Sequence, residues 1–321
     1  MRRSFVHVVV GLVLCAGCAS PPPGKPAPVA FEPWSGEGDA RARIVRTDHY
    51  LIHTTIDDER LLATLAQVME GALAQYQQFT PGVRLSARPM ECFVFATRPE
   101  WARFTAQKTG DDATVYLKIN KGGYTIRDWY VAYFIGDAGT YAVAAHEGWH
   151  QYVARHFRSR LPPFLEEGIA TMFETITWSG GQPRWTLSVN PVRAARLRRA
   201  IARGDLWPLE SLVTMHAGDV VNLPGERIET FYAQNWAFAQ FLWEGDERRY
   251  RAAFQRMLSD LAAGVATPGT GARNTSSLLW NPGSARPMLE HYLGMPLDEI
   301  ERAYLAYVDR IARDRRGNDD T

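Results

Sequence analysis

The chain has 321 residues, a formal net charge of +1 at pH 7 and a hydrophobic content of 46%. Because the charge is nearly balanced and unclustered, it excludes the basic face on which a nucleic-acid-binding protein depends. We find no internal repeat and no long low-complexity stretch. About 270 residues remain beyond the N-terminal leader and tether described below, enough for one compact unit with two lobes.

The first residues predict a secretory leader rather than part of the fold. Two arginines precede an apolar run at 5–14, which is too short to span a membrane. The Cys-Ala-Gly-Cys segment at 15–18 resembles a bacterial lipobox, so that 1–17 would be removed and Cys18 would carry the lipid. An ordinary signal peptide cut nearby is the alternative. Ala19 resembles the residue at this position in lipoproteins sorted to an outer membrane.

The leader implies a place in the bacterial cell envelope, facing the periplasm or the exterior. Acyl chains on Cys18 would anchor the chain to the membrane without a spanning helix. Residues 18–41 are rich in proline, glycine and alanine, which predicts a stiff tether. Cys92 would then be the only free cysteine, and the apolar run at 91–95 predicts that it lies in a buried strand.

The rest of the chain alternates strands and helices before it becomes mainly helical. Apolar periodicity predicts, in chain order, a strand at 43–55, a helix at 57–79, a strand at 91–95, a helix at 99–107, strands at 115–119 and 129–135, and a helix at 141–157. Further helices are predicted at 191–203, 206–215, 231–242, 249–263 and 296–312. The glycine-rich interval at 264–271 predicts a loop, and 314–321 predicts a frayed tail.

One predicted helix carries side chains that suit a metal ion. In Ala-Ala-His-Glu-Gly-Trp-His at 144–150, His146 and His150 are four residues apart and project from the same helix face. Zinc accepts two histidine nitrogens and one or two further ligands at tetrahedral corners. Glu147 lies about 100° around the helix from His146, where it can take a proton from a metal-bound water. Gly148 costs about 1 kcal/mol relative to alanine inside a helix, which indicates a close approach by another part of the chain.

A third ligand is needed, and two residues are candidates. His156 lies where metzincin peptidases place a third histidine, but Val153 stands where they require a glycine turn. Without that turn the helix continues, and His156 lies about 9 Å farther along its axis on another face. We therefore expect His156 to be a helix-end residue. Glu167 follows His150 by 17 positions, which allows a loop and a second, antiparallel helix to bring its carboxylate back to the first.

This stretch resembles the gluzincin metallopeptidases, whose third zinc ligand is the glutamate of an Asn-Glu-Gly-x-Ala segment. The match is Glu-Gly-Ile-Ala at 167–170, with Glu166 in place of the asparagine. The resemblance implies one zinc ion per chain, held by His146, His150 and Glu167. For Glu166 a solvated helix face is the alternative to any role at the site.

The resemblance also implies roles for three further residues. Glu147 would be the general base that acts on a zinc-bound water. Glu174 matches a recurring acidic position and would orient a ligand histidine, and its alternative is a solvated helix face. Tyr232 begins a Tyr-Ala-Gln-Asn-Trp segment similar to one in the peptidase-MA-like branch, and it would donate to the oxyanion. The alternative for Tyr232 is a core tyrosine.

The expected fold class is α+β. A zincin-like lobe at 42–157 would carry a small mixed sheet and the metal-binding helix, and a mainly helical lobe at 158–313 would supply the third ligand. The strand at 129–135 is expected at the sheet edge, where a peptide could add by main-chain hydrogen bonds.

The expected function is a zinc-dependent metallopeptidase that acts on a polypeptide substrate. An endopeptidase is favoured because the Gly-x-Met-Glu-Asn signature of aminopeptidases is absent upstream of the metal helix. One alternative is a cell-wall peptide amidase that uses the same zinc site. Another is a zinc-stabilised binding lipoprotein without catalysis.

Overall fold

The computed structural model describes residues 29–34, 42–120, 122–215, 220, 223–265 and 280–314. The chain forms two compact units. The first consists of the described residues up to Gln78, Arg84–His156 and Phe173–Thr186, and the second consists of Phe79–Val83, Phe157–Met172 and the described residues from Leu187 onward. Cys18, the leader and much of the predicted tether lie outside the described residues.

A six-stranded mixed sheet is the main β-structure of the first unit. Its strands are β1 (Ala30–Pro33), β2 (Arg43–Arg46), β3 (Tyr50–Thr54), β4 (Met90–Phe95), β5 (Gly123–Ile126) and β6 (Trp129–Tyr133). They lie in the order β1-β2-β3-β4-β6-β5. The pairs β3/β4 and β4/β6 are parallel, and the other neighbours are antiparallel. The α+β class predicted from the sequence is confirmed.

Four helices of the first unit connect or follow these strands. They are α1 (Glu59–Phe79), α2 (Arg98–Thr109), α3 (Ala113–Tyr116) and α4 (Asp137–His156). Thr97 begins α2 with a capping box, in which its side chain and that of Glu100 satisfy each other's backbone N–H groups. Helix α4 packs against β5 and β6, so the sheet fixes the helix that carries the His-Glu-x-x-His motif.

A hairpin completes the first unit. Strands β7 (Ile176–Ser179) and β8 (Gln182–Trp185) pair antiparallel around Gly180 and Gly181, whose φ angles of 60° and 76° suit a two-residue type I′ turn. Gln67 of α1 donates a 3.0 Å hydrogen bond to the Gly181 carbonyl. The lobes predicted from the sequence meet at 157/158, whereas the hairpin, within Phe173–Thr186, belongs to the first unit.

The second unit is helical. Its helices are α5 (Pro163–Met172), α6 (Pro191–Arg203), α7 (Leu209–Thr214), α8 (Gly225–Arg248), α9 (Arg251–Ala263), α10 (Ala285–Leu293) and α11 (Leu297–Asp314). Helix α8 contacts α5, α6, α7, α9 and α11. Gly168 of α5 lets α8 approach closely, since a Cβ there would lie 2.5 Å from the Asn235 carbonyl oxygen. Among the described residues, no helix combines the length and apolar character that a membrane crossing requires.

Four local predictions differ from the structure. The single strand predicted at 43–55 is the antiparallel pair of β2 and β3. Ala30–Pro33, inside the predicted tether, forms β1 and pairs with β2. The run at 115–119 is not a strand, and its first two residues belong to the short helix α3, in which Tyr116 is buried. Apolar periodicity cannot separate strand from helix over so few residues. Strand β6 lies between β4 and β5, so the sheet edge expected at 129–135 belongs to Gly123–Ile126 instead.

Candidate metal centre

Helix α4 is enclosed on all sides, unlike a surface helix with one apolar stripe. Every residue from Gly139 to Val153 is buried. The Gln151 amide donates 2.8 Å hydrogen bonds to the carbonyl oxygens of Glu91 and Asp128. Because these carbonyls belong to β4 and to the turn before β6, the amide fixes α4 against the sheet.

Tyr76 of α1 explains the glycine inside the motif. Its hydroxyl donates a 2.6 Å hydrogen bond to the Ala145 carbonyl oxygen. A Cβ on residue 148 would lie 2.7 Å from that hydroxyl, well inside van der Waals contact. The close approach expected from Gly148 is therefore made by a tyrosine that holds the helix one residue before His146.

The two motif histidines point their ring nitrogens at each other. His146 Nε2 and His150 Nε2 are 3.3 Å apart, and both side chains are buried. Two nitrogens at tetrahedral corners about 2.0–2.1 Å from a zinc ion lie roughly 3.3–3.4 Å from each other. The observed distance between the two Nε2 atoms therefore equals the distance expected for two imidazole nitrogens bound to one zinc ion.

Glu174 contacts the other nitrogen of the first histidine. One of its carboxylate oxygens lies 3.1 Å from His146 Nδ1, and both side chains are buried. When Nδ1–H donates to the carboxylate, the lone pair of Nε2 is directed towards His150. Glu174 lies just beyond the end of α5 at Met172, rather than on that helix as expected, and its carboxylate still makes the predicted contact with a histidine.

Glu167 is the third residue of a group that could hold a metal ion. It is buried on α5, and in the part of the chain that the structure describes, His146, His150 and Glu167 each offer one ligand atom within 4.8 Å of the others. Two imidazoles and one carboxylate form a donor set that catalytic zinc sites use, so these residues fit the ion. Glu166 is also buried but does not belong to this group.

His156 is engaged elsewhere, as expected for a helix-end residue. Its Nδ1 lies 2.8 Å from the Tyr152 carbonyl oxygen, and its Nε2 accepts a 3.1 Å hydrogen bond from the Ser86 backbone N–H. Both ring nitrogens therefore have protein partners, which agrees with the rejection of the metzincin pattern.

Glu147 follows His146 on α4 and is buried, and a threonine contacts its carboxylate. Thr125 Oγ1 on β5 lies 3.0 Å from Glu147 Oε2 and 3.1 Å from the Glu147 carbonyl oxygen. The sequence did not identify Thr125, because β5 itself was not predicted. No sequence signal identifies it, because its contact with Glu147 depends on the register of β5 against β6, in which Thr125 pairs with Tyr130.

Tyr232 lies inside the second unit on α8. Its ring is buried, the Arg193 guanidinium lies 5.2 Å from the ring centroid, and the Phe231 ring approaches edge-on at 5.5 Å. These contacts fix the ring, and the role of its hydroxyl as an oxyanion donor stays a prediction.

Burial keeps two ionisable side chains near α4 in their neutral forms. It raises the pKa of Tyr76 well above the usual range, so this residue remains a phenol that can donate to Ala145. Burial likewise raises the pKa of the Cys92 thiol, which therefore stays protonated. Cys92 is a core residue, as its apolar strand predicted, because a nucleophilic cysteine needs a lowered pKa.

Comparison of the chain with protein-family models, with curated proteins and with solved structures gives no match.

Proposed function

We propose that this chain is a zinc-dependent metallopeptidase in which His146, His150 and Glu167 hold one zinc ion per chain. The observation that supports this most strongly is the 3.3 Å separation of the two Nε2 atoms, within a group that also includes a Glu167 oxygen. Three protein ligands leave one tetrahedral position for water or substrate. That is the pattern of catalytic zinc, whereas structural zinc sites are closed by four protein ligands.

A metal-free explanation exists for the histidine pair alone. An N–H···N hydrogen bond between the two imidazoles would also place their nitrogens 3.3 Å apart. That hydrogen bond needs no carboxylate, whereas an oxygen of Glu167 lies within 4.8 Å of both histidine nitrogens. A shared cation accounts for all three donors at once, since buried charged groups are paired or coordinate metals.

Glu147 is the proposed base. Zinc held here would supply a polarised carbonyl and a water with a pKa near 7. Glu147 adjoins a ligand in sequence but is not in the ligand group, and its carboxylate is buried against Thr125. It would accept the proton of the attacking water and deliver it to the leaving amine.

The proposed substrate is a polypeptide cleaved at internal bonds in the bacterial cell envelope. The absence of the aminopeptidase signature supports internal cleavage, and the lipobox ending at Cys18 supports the location. The edge of the sheet at β5 offers main-chain hydrogen bonds to an extended peptide.

The experiment compares wild type with Glu147→Gln and with Glu166→Gln as a matched control. Glu147→Gln should keep the zinc content of wild type and lose roughly 10²–10⁴-fold or more in casein cleavage, because it removes a positioned base. Glu166→Gln should keep both the zinc content and the casein cleavage of wild type. Undiminished cleavage by Glu147→Gln would contradict the proposed base. Cleavage of purified murein peptides with none of casein would favour a cell-wall amidase instead.

A further inference from the structure

We propose that Thr125 is a positioning residue that holds the Glu147 carboxylate in the orientation a general base requires. The inference rests on the proposed function, because it takes Glu147 as the base. Thr125 is buried, is separated from Glu147 by 22 positions, and contacts it twice through one hydroxyl oxygen.

The hydroxyl has one proton and two nearby acceptors on the same residue. The carboxylate oxygen Oε2 is 3.0 Å away and the backbone carbonyl oxygen is 3.1 Å away. An ionised carboxylate is the stronger acceptor, so the proton is directed to Oε2. The hydroxyl also lies beside the backbone carbonyl of Glu147, so its hydrogen bond to Oε2 holds the side chain close to its own helix.

The sheet fixes where this hydroxyl lies. Thr125 is opposite Tyr130 in the β5/β6 register. Its neighbour Tyr124 belongs to the aromatic core cluster and donates a 3.0 Å hydrogen bond to Thr105. Because successive side chains alternate between faces, Tyr124 in that cluster requires Thr125 to point the other way, towards α4.

Two further features restrict movement of the hydroxyl. A Cβ on Gly123 would lie 2.9 Å from the Val131 carbonyl oxygen, so glycine lets β5 approach β6 closely. Threonine is branched at Cβ, which limits rotation about χ1. A shift of β5 by one residue would turn Thr125 to the opposite face, so its position depends on the register of the strand.

A held carboxylate matters because a base acts only from within hydrogen-bond reach of the proton that it removes. A glutamate side chain has three rotatable bonds, and a fixed donor at Oε2 removes most of that freedom. Without the donor, Glu147 would remain in the site but spend less time in the productive orientation. The loss should therefore appear in kcat rather than in substrate binding.

The kinetic test compares wild type with Thr125→Val, which removes the hydroxyl and keeps the shape, and with Thr125→Ser, which keeps the hydroxyl. Thr125→Val should lower kcat roughly 10- to 100-fold, with little change in KM and an unchanged zinc content. Thr125→Ser should restore most of kcat. A wild-type kcat in Thr125→Val would overturn the proposal, as would an equal loss in both variants.

Crystal structures of the same three proteins test the inference without relying on activity. The Glu147 carboxylate should leave its wild-type orientation in Thr125→Val and keep it in Thr125→Ser. An unchanged orientation in Thr125→Val would overturn the proposal whatever the kinetics show. If wild type binds no zinc and cleaves no peptide, the proposed function fails, and the carboxylate orientation still decides whether Thr125 positions Glu147. Thr125→Ala is the second hydroxyl-free variant if Thr125→Val does not fold.

Discussion

His146 Nδ1 lies 3.1 Å from a carboxylate oxygen of Glu174, a residue 28 positions later in the chain. The contact joins α4 to the bend that follows α5 and holds the His146 ring through its Nδ1 atom. Because His146 belongs to the proposed ligand group, removal of the Glu174 carboxylate should lower the affinity of the chain for zinc.

Glu174→Ala should weaken zinc binding roughly 10- to 100-fold, because the partner that orients a ligand histidine is lost. Glu174→Gln keeps an acceptor oxygen and should weaken zinc binding less than Glu174→Ala does. Competition with a chromophoric chelator measures both affinities. If Glu174→Ala binds zinc as tightly as wild type, the contact is structural only.

Gly148 and Tyr76 should show a strong coupling in stability. Gly148→Ala should cost about 1–3 kcal/mol, because the new methyl group collides with the Tyr76 hydroxyl. In Tyr76→Phe that hydroxyl is gone and the next ring atoms lie 3.5 and 3.6 Å from the Cβ position. Gly148→Ala should then be neutral or stabilising by up to about 1 kcal/mol, through the better helix propensity of alanine.

Urea unfolding of the four metal-free proteins measures this coupling, with Tyr76→Phe as the reference for the double variant. Tyr76→Phe alone should lose about 1 kcal/mol, for its hydrogen bond to Ala145. Equal costs of Gly148→Ala in both backgrounds would show that the collision is not what keeps a glycine at this position.

Much of the fold could be predicted from periodicity, and the misses have physical causes. The helix predicted at 191–203 is α6 to the residue, since its apolar stripe is long and Asn190 caps it. Strand β5 and the β7/β8 hairpin were missed, because strands of four residues contain too few alternations to be recognised. The glycine pair at 180–181 was the available signal for the hairpin.

For the site, spacing was informative only along a helix. His146 and His150 could be placed together because four residues make about one turn. The prediction of Glu167 as a third ligand depended on the family resemblance as well as on its spacing from His150. Thr125 could not be predicted at all, because its contact with Glu147 depends on the register of β5 against β6.

Tyr232→Phe tests whether this tyrosine donates to the oxyanion. The change removes one hydroxyl and keeps the ring beneath the Arg193 guanidinium. An oxyanion donor should show a fall in kcat of roughly 10²–10³-fold with little change in KM and with zinc retained. A normal kcat with a modest change in melting temperature would assign Tyr232 to the core.

His53 should make the fold sensitive to acid. Its ring stacks on Phe93 at 4.7 Å and meets Trp34 edge-on at 5.2 Å, and neither ring nitrogen has a hydrogen-bond partner among the described residues. Burial lowers its pKa below the ordinary 6.5, while the charge of Glu91 opposes that shift. Protonation therefore favours the unfolded chain, and stability present above about pH 6.5 is lost as the pH falls below that value.

Melting temperatures at pH 7.5 and 5.5 measure this effect in wild type and in His53→Phe, which keeps an aromatic ring at the position. The melting temperature of wild type should fall more between pH 7.5 and pH 5.5 than the melting temperature of His53→Phe does. The other histidines are common to both proteins, so equal losses would show that His53 does not carry the sensitivity.

The zinc content of the purified, folded chain shows whether His146, His150 and Glu167 form a metal centre, and plasma mass spectrometry measures it after zinc is supplied and excess is removed. Wild type and Glu166→Ala should each hold one zinc per chain, whereas Glu167→Ala and His150→Ala should lose most of it while remaining folded. Wild type without zinc, or Glu166→Ala and Glu167→Ala with equal zinc contents, would contradict the assignment of His146, His150 and Glu167 as the metal centre.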